Sequence, residues 1–204
     1  MKNKILSTLM LTGVLALFMP THLLAAPLGL STGSPTLGAS FAFIDYLEFG
    51  PDGDLSTFGA EVDFTDGVST TGFTELSFGV GFSLADPTSG ATGGFDVFDD
   101  NGLYLAGSLF AVGFSDDLIE LQFDNLLGAG TGSFGSSVLA SIAFDDALGS
   151  NPFVSLIDGE FYTASITLSN VADDVASVPL PATLSLFLSG LFFLSWVKKR
   201  CNVK

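Results

Sequence analysis

Hydrophobic and polar residues alternate strictly along several stretches of the chain. In residues 74–84 the apolar positions are Leu76, Phe78, Val80, Phe82 and Leu84, and the intervening positions are polar or Gly. Two further stretches repeat this period of two, with apolar positions Ile119, Leu121 and Phe123, and Tyr162, Ala164, Ile166 and Leu168; a third, with Val138, Ala140, Ile142 and Phe144, alternates less cleanly. Successive side chains of a strand point to opposite faces, so this pattern predicts half-buried β-strands.

Turn-forming residues separate these stretches at spacings typical of all-β domains. They are Pro51-Asp52-Gly53-Asp54, Asp66-Gly67, Asp86-Pro87, Asn101-Gly102, Asn151-Pro152 and Asp158-Gly159. Asn101-Gly102 predicts a hairpin with a type I′ turn, and residues 103–114 are then the returning strand. No helix is predicted between the two ends of the chain. The fold class expected is therefore all-β, as a single β-sandwich that is jelly-roll-like or immunoglobulin-like.

Charge divides the chain into two ends and a middle. All six Lys and Arg residues lie at positions 2, 4, 198, 199, 200 and 204, whereas all 22 Asp and Glu residues lie between Asp45 and Asp174. At the amino end, Lys2 and Lys4 precede an apolar run and the small pair Ala25-Ala26. This order is typical of a signal peptide, so we expect residues 1–25 to form a signal helix that is removed.

An apolar segment at the carboxyl end predicts a transmembrane helix. Residues 182–197 are mostly Leu, Phe and Ser and carry no charge, and as a helix they would be about 24 Å long, which is short but sufficient for a span. Lys and Arg beside a span favour the cytoplasmic side, and basic residues follow this segment at 198–204. Both ends therefore place the acidic middle, residues 26–177, outside the cytoplasm.

The carboxyl-terminal segment, residues 178–204, resembles the PEP-CTERM sorting signal of Gram-negative bacteria that produce extracellular polysaccharide. The motif residues are Val178, Pro179, Leu180, Pro181 and Ala182, and the basic stop is Lys198, Lys199 and Arg200. Leu180 stands where the family usually has Glu. The resemblance implies signal peptidase and an exosortase as processing enzymes, membrane anchoring through the helix at 182–197, and later transfer to the cell surface or the extracellular matrix.

The residues missing from the middle exclude most kinds of chemistry. Between the two processed ends there is no Cys, His, Met, Trp, Lys or Arg. Nucleophilic triads that use His, zinc or copper sites, and nucleic-acid binding through basic side chains are therefore excluded. Carboxylates remain, and two of them facing each other could hydrolyse a glycoside. Such an enzyme normally needs exposed aromatic platforms, for which Tyr46, Tyr104 and Tyr162 are the candidates.

Pairs of acidic residues in predicted turns are the candidate metal sites. No cofactor is required by the sequence, but calcium takes six to eight oxygen ligands, which clustered Asp residues can supply. The main candidates are Asp52, Asp54, Asp99, Asp100 and Asn101, and the weaker ones are Asp116 with Asp117 and Asp145 with Asp146. Alternatively, each Asp accepts hydrogen bonds from its own turn.

Three functions remain open at this point. The leading hypothesis is an exported, non-catalytic surface or matrix protein, with extracellular polysaccharide as an expected partner and no role for nucleic acid. The second is a calcium-dependent carbohydrate-binding module, and the third is a secreted glycosidase. Calorimetry with calcium and assays on polysaccharides distinguish them.

Overall fold

A computed structural model describes residues 27–172, which form nine strands and two one-turn helices. The strands are β1 Thr32–Phe49, β2 Asp52–Glu61, β3 Phe64–Asp66, β4 Glu75–Ser83, β5 Thr92–Asp99, β6 Gly102–Ser115, β7 Leu118–Leu127, β8 Val138–Phe144 and β9 Phe161–Val171. The helices are α1 Thr131–Phe134, between β7 and β8, and α2 Pro152–Ser155, between β8 and β9. The prediction of an all-β domain is confirmed.

The strands form one closed antiparallel sheet. Its order is β2-β4-β5-β6-β7-β8-β9-β1, and β1 also pairs with β2, so eight strands close into a barrel; β3 pairs with β1 beside it. The expected β-sandwich is not confirmed, because hydrogen bonding continues around the sheet instead of stopping at the edges of two packed layers. Closure depends on β1, whose 18 residues pair with β9 along most of their length and with β2 at Asp45–Phe49.

The predicted alternation sets the interior of the barrel. In β4, Leu76, Phe78, Val80 and Phe82 are buried, and β7 buries Ile119, Leu121 and Phe123 completely. The apolar positions predicted in β8 and β9 are buried as well, except that Tyr162 is half-buried. An eight-stranded barrel is just wide enough for side chains to fill or for one small ligand. Here one continuous hydrophobic cluster occupies the interior.

The two short helices place aromatic side chains in this cluster. Phe134 of α1 is fully buried. Phe153 of α2 packs its ring against those of Phe82 and Phe114, at centroid distances of 4.7 and 5.5 Å. The prediction that the middle contains no helix was wrong, because a single helical turn is too short to produce a helical period in the sequence.

The predicted hairpin is present, but its turn differs from the expected one. β5 and β6 pair through Asp99 and Gly102, so the two central residues are Asp100 and Asn101. A type I′ turn needs positive φ at both centres. Among the non-glycine residues described, only Asp117 and Asn125 have positive φ, whereas Gly102 has φ 110°. The left-handed residue thus follows the turn, and the prediction of a type I′ turn was wrong.

Both ends of the described chain lie side by side. Thr32 at the start of β1 pairs with Val171 at the end of β9, and the Ala172 N–H donates to the Ser31 carbonyl at 2.9 Å. The predicted signal helix at 1–25, the sorting motif at 178–182, the transmembrane helix at 182–197 and the basic end at 198–204 lie outside the described residues. Within residues 27–172, no helix is long and apolar enough to span a membrane.

Candidate functional site

The candidate site is a cleft at the point where β1 and β2 separate. The two strands pair only from Asp45↔Ser56 to Phe49↔Asp52. Beyond that point β1 pairs with β3 on this side, at residues 36–38, and the end of β2 pairs with β4. The gap is a cavity of about 280 Å³, which we call the β1–β2 cleft; its lining residues are Phe41, Ala42, Phe43, Phe58, Gly59, Ala60, Glu61 and Asp63.

Irregularities in both strands shape this cleft. The register of β1 against β9 shifts between Ala39 and Ala42, and the register of β2 against β4 shifts between Thr57 and Ala60. A bulge inserts an extra residue, bends the strand and re-aims the nearby side chains. Phe41 lies within the first irregularity and Phe58 within the second. Gly59 has φ 65°, a left-handed conformation that favours glycine, so the second irregularity is built around this residue.

Three phenylalanine rings project from the outer surface at the cleft. Phe41, Phe43 and Phe58 are 55%, 60% and 82% exposed. The rings of Phe41 and Phe43 meet edge to face, with centroids 4.9 Å apart and planes at 85°. Two adjoining rings of β1 and one ring of β2 thus line a concave, largely apolar surface. Exposed apolar groups gathered in this way commonly mark a binding surface.

Carboxylates lie at the rim of the same cleft. Asp63 is held in place, because its Oδ1 accepts hydrogen bonds from the Ser40 N–H at 3.0 Å and from the Ser40 hydroxyl at 3.1 Å. Glu61 also lines the cleft, and within residues 27–172 its carboxylate forms no hydrogen bond or ion pair. Glu75 pairs directly with Glu61 across β2 and β4. No Lys, Arg or His is present between residues 23 and 197 to offset these charges.

Sequence reasoning missed the cleft because the two irregularities hide it. In β1 the buried positions change from Leu37 and Ala39 to Ala42 and Ile44, so the parity of the pattern switches in the middle of the strand. A search for strict alternation therefore finds no strand there. The signal that could have found it is the local sequence Phe41-Ala42-Phe43, in which two large apolar residues stand on the face opposite the buried Ala42.

The calcium candidates Asp99, Asp100 and Asn101 lie in one turn, in which both carboxylate oxygens of Asp99 accept backbone hydrogen bonds. Asp99 accepts the Asn101 N–H on Oδ1 at 2.8 Å and the Thr71 N–H on Oδ2 at 3.0 Å. The Asp100 N–H donates to the Thr71 carbonyl at 3.0 Å. Asp99 therefore holds its own turn and joins it to the loop before β4, which is the alternative role that an Asp in a turn can have.

The remaining acidic pairs are not gathered into a metal site either. Asp117 uses its Oδ1 to accept the Gly149 N–H at 2.7 Å, which fixes the loop after β8. Asp52 and Asp54 lie in β2, opposite Phe49 and Leu47 of β1. Among residues 27–172, no group of three or more Asp, Glu, His or Cys side chains is arranged to hold a metal ion. The positions of these side chains therefore give no support to calcium binding at these turns.

Asp54 gives a test of how crowded negative charge affects stability. Burial, and secondarily the charge of Asp45, raise the pKa of the Asp54 carboxyl above its ordinary value of 3.8. The folded state therefore binds this proton more tightly than the unfolded chain, and stability increases as the pH falls through the raised pKa towards 3.8. We expect Asp54→Asn to raise the melting temperature at neutral pH and to reduce the gain on acidification.

Thermal unfolding followed by circular dichroism across mildly acidic pH measures both effects. Asp52→Asn is the matched control, because it removes an equal charge from a more exposed position of the same strand. A melting temperature that rises equally in both variants would contradict the assignment to burial at Asp54. It would indicate relief of the general negative charge instead.

The aromatic platforms considered for a glycosidase are mostly inside the barrel. Tyr46 is fully buried and Tyr104 is 8% exposed. Tyr162 is half-buried, and its hydroxyl accepts the Ile157 N–H at 2.8 Å. Tyr46 and Tyr104 therefore cannot stack on a sugar, and those two candidates were wrong. The exposed rings of the cleft belong to phenylalanine.

The lining of the cleft combines apolar rings with two carboxylates, those of Glu61 and Asp63. Protein-family models, curated proteins and solved structures were compared with the chain, and none of them matches it. The functional argument therefore rests on the chain's own residues.

Proposed function

We propose that this chain is an exported, non-catalytic surface or matrix protein that binds through the β1–β2 cleft. The observation that carries the proposal is the position of the two chain ends. Ser31 and Ala172 are joined by a hydrogen bond, so the segments before and after the barrel leave from the same place. If either segment, or both, holds the barrel at a membrane, the side of the barrel away from these two ends remains accessible for binding.

The charge distribution supports the same arrangement. Every Lys and Arg lies in the end segments, whereas Asp and Glu lie only between them. Basic residues beside an apolar segment favour the cytoplasmic side of a membrane. With a signal helix at 1–25 and a transmembrane helix at 182–197, the acidic barrel lies on the outer side. The sorting motif at 178–182 then makes the chain a substrate for an exosortase.

The packed interior supports a binding role at the outer surface. Large side chains such as Tyr46, Phe123 and Phe134 fill the barrel, so the β1–β2 cleft is the better candidate for contact with other molecules. Like charges on every copy of the body keep it soluble despite its exposed rings. We propose that the mature protein lies among extracellular polysaccharide.

Mass spectrometry of the mature protein tests the proposal. We expect an amino terminus at residue 26 or 27 and a carboxyl terminus near residues 178–182, in protein recovered from the cell surface or the medium. In cells that lack the exosortase, we expect the carboxyl-terminal segment to remain attached. Replacing Lys198, Lys199 and Arg200 together with Gln should impair this maturation, because the basic stop is removed.

A matched control is Lys2 and Lys4 exchanged for Arg, which preserves the charge of the amino end. That variant should be exported and processed like the parent chain. Recovery of the intact polypeptide from the cytosol, unclipped at both ends, would overturn the proposal. So would unaltered processing in the absence of the exosortase.

A further inference from the structure

We propose that the β1–β2 cleft binds a small organic cation, an ammonium group carried on an apolar body. This inference names the ligand of the proposed binding site, and it does not depend on export. The first observation is the arrangement of the exposed rings. A barrel that buries Phe78, Phe82 and Phe123 inside nevertheless leaves Phe41, Phe43 and Phe58 in water around one cavity. Exposed rings such as Phe49, Phe110 and Phe161 occur elsewhere on the barrel, but Phe41, Phe43 and Phe58 line one cavity that a ligand can fill.

The charge at the cleft selects among the classes of ligand. Glu61 and Asp63 line the cavity, and Ser40 fixes the position of the Asp63 carboxyl group by two hydrogen bonds. An anionic ligand would be repelled, since the barrel has no Lys, Arg or His. A second copy of the chain carries the same excess of negative charge and would be repelled too. A cation is the complement of this surface.

The ring geometry fits a cation of this kind. The face of an aromatic ring is negative and attracts an ammonium group, even for phenylalanine, and at exposed sites each contact is weak. The planes of Phe41 and Phe43 are perpendicular, with the edge of one ring against the face of the other, so a group in the angle between them meets a face of each ring. The apolar body of the ligand packs on these rings while its charge lies near Glu61 and Asp63. This combination uses both kinds of residue that line the cleft.

The size of the cavity limits the ligand to a small one. At about 280 Å³, the cleft is at the lower end of the volumes of small-molecule sites. It accommodates a trimethylammonium group with a short chain but not a folded partner. Weak contacts in an open cleft predict dissociation constants in the millimolar range.

Choline and its uncharged isostere, in which a tert-butyl group replaces the trimethylammonium group, provide the test. Both have nearly the same shape, so a difference in affinity reports the charge. We expect calorimetric titration of the full-length chain in non-ionic detergent, at constant ionic strength, to give about tenfold tighter binding of choline. Equal affinity for the two compounds, tighter binding of the isostere, or no binding of either at high millimolar concentration would overturn the proposal.

Variants of the chain locate the site. Glu61→Gln with Asp63→Asn keeps the shape of the cleft and should abolish the preference for choline, and Phe43→Ala should weaken both ligands. The controls are Asp116→Asn, which removes a charge elsewhere, and Phe110→Ala, which removes a 66% exposed ring on β6. Both controls should bind like the parent chain. Melting temperatures identify any variant that fails to fold, and binding that is unaffected by the cleft variants would overturn the assignment.

Choline binding also separates this inference from the proposed function. A chain that is exported and processed as proposed, but does not discriminate choline from its isostere, refutes the ligand and leaves export intact. A chain that binds choline in the cleft, but remains unprocessed in the cytosol, refutes export and leaves the ligand intact.

Discussion

Gly93→Ala is expected to destabilise the barrel by about 3 kcal/mol, because residue 93 has a backbone conformation and surroundings that only glycine fits. Gly93 has φ 153° and pairs with Val80 on β4. A Cβ at this position would overlap the carbonyl oxygen of Gly79 and approach Val80 Cα to 2.9 Å. Both obstacles are backbone atoms, so β4 and β5 would have to move apart. Urea unfolding followed by circular dichroism measures the loss.

Gly79→Ala is the matched control on the facing strand. Gly79 pairs with Gly94, and a Cβ built on it meets nothing within 4 Å. Alanine has less conformational freedom than glycine in the unfolded chain, so this variant should be neutral or more stable by about 0.5 kcal/mol. Similar losses in the two variants would show that β4 and β5 do not approach each other in the way described.

Strands without register shifts could be predicted from the sequence. β4 alternates without interruption and β8 less cleanly, since Leu139 is buried too, and in both strands the residues expected inside are buried. β1 and β2 could not be predicted from alternation, because their register shifts change which positions face the interior. These two strands also close the barrel. Whether a set of half-buried strands forms one closed sheet or two layers depends on a pairing between chain segments, and alternation within a strand carries no information about that pairing.

The candidate sites show a similar limit. Asp99 in a turn before Asn101 has the same local sequence whether it binds calcium or its own backbone, and here it accepts two backbone N–H groups. The cleft residues Phe41 and Phe58 are 17 positions apart and come together only because β1 and β2 form a hairpin and then separate. What the sequence does establish is that the barrel offers no Lys, Arg or His side chain to pair with an anionic ligand.

The closed sheet and the acidic composition both oppose self-association. A barrel leaves few strand edges on which a second chain can pair. Phe49, Phe110 and Phe161 are all more than 60% exposed, and they would favour aggregation on a neutral protein. Uniform negative charge opposes that association, since copies repel one another over roughly 8 to 10 Å at physiological ionic strength. The negative charge therefore offsets the tendency of the exposed rings to cause aggregation.

Phe123→Ala is expected to cost about 3 to 5 kcal/mol, which is a large part of the stability of an ordinary domain. Phe123 of β7 is completely buried, and its ring lies 4.7 Å from the ring of Phe95 on β5. Removing it leaves a cavity between strands that hydrogen bonds hold in place, so the surroundings cannot collapse to fill the space. Urea unfolding measures the loss, and Phe110→Ala, at a 66% exposed ring, should change stability by less than about 0.5 kcal/mol.

The same variant tests whether the interior is packed or carries a ligand. A dry cavity lined by apolar side chains binds benzene, so benzene should raise the melting temperature of Phe123→Ala. It should leave the parent chain unchanged, because Phe123 and its neighbours already occupy that space. An equal rise in both proteins would mean that the parent barrel has room for an apolar ligand. Binding inside the barrel would then compete with the β1–β2 cleft as the functional site, and the packing of the interior would no longer argue for the outer surface.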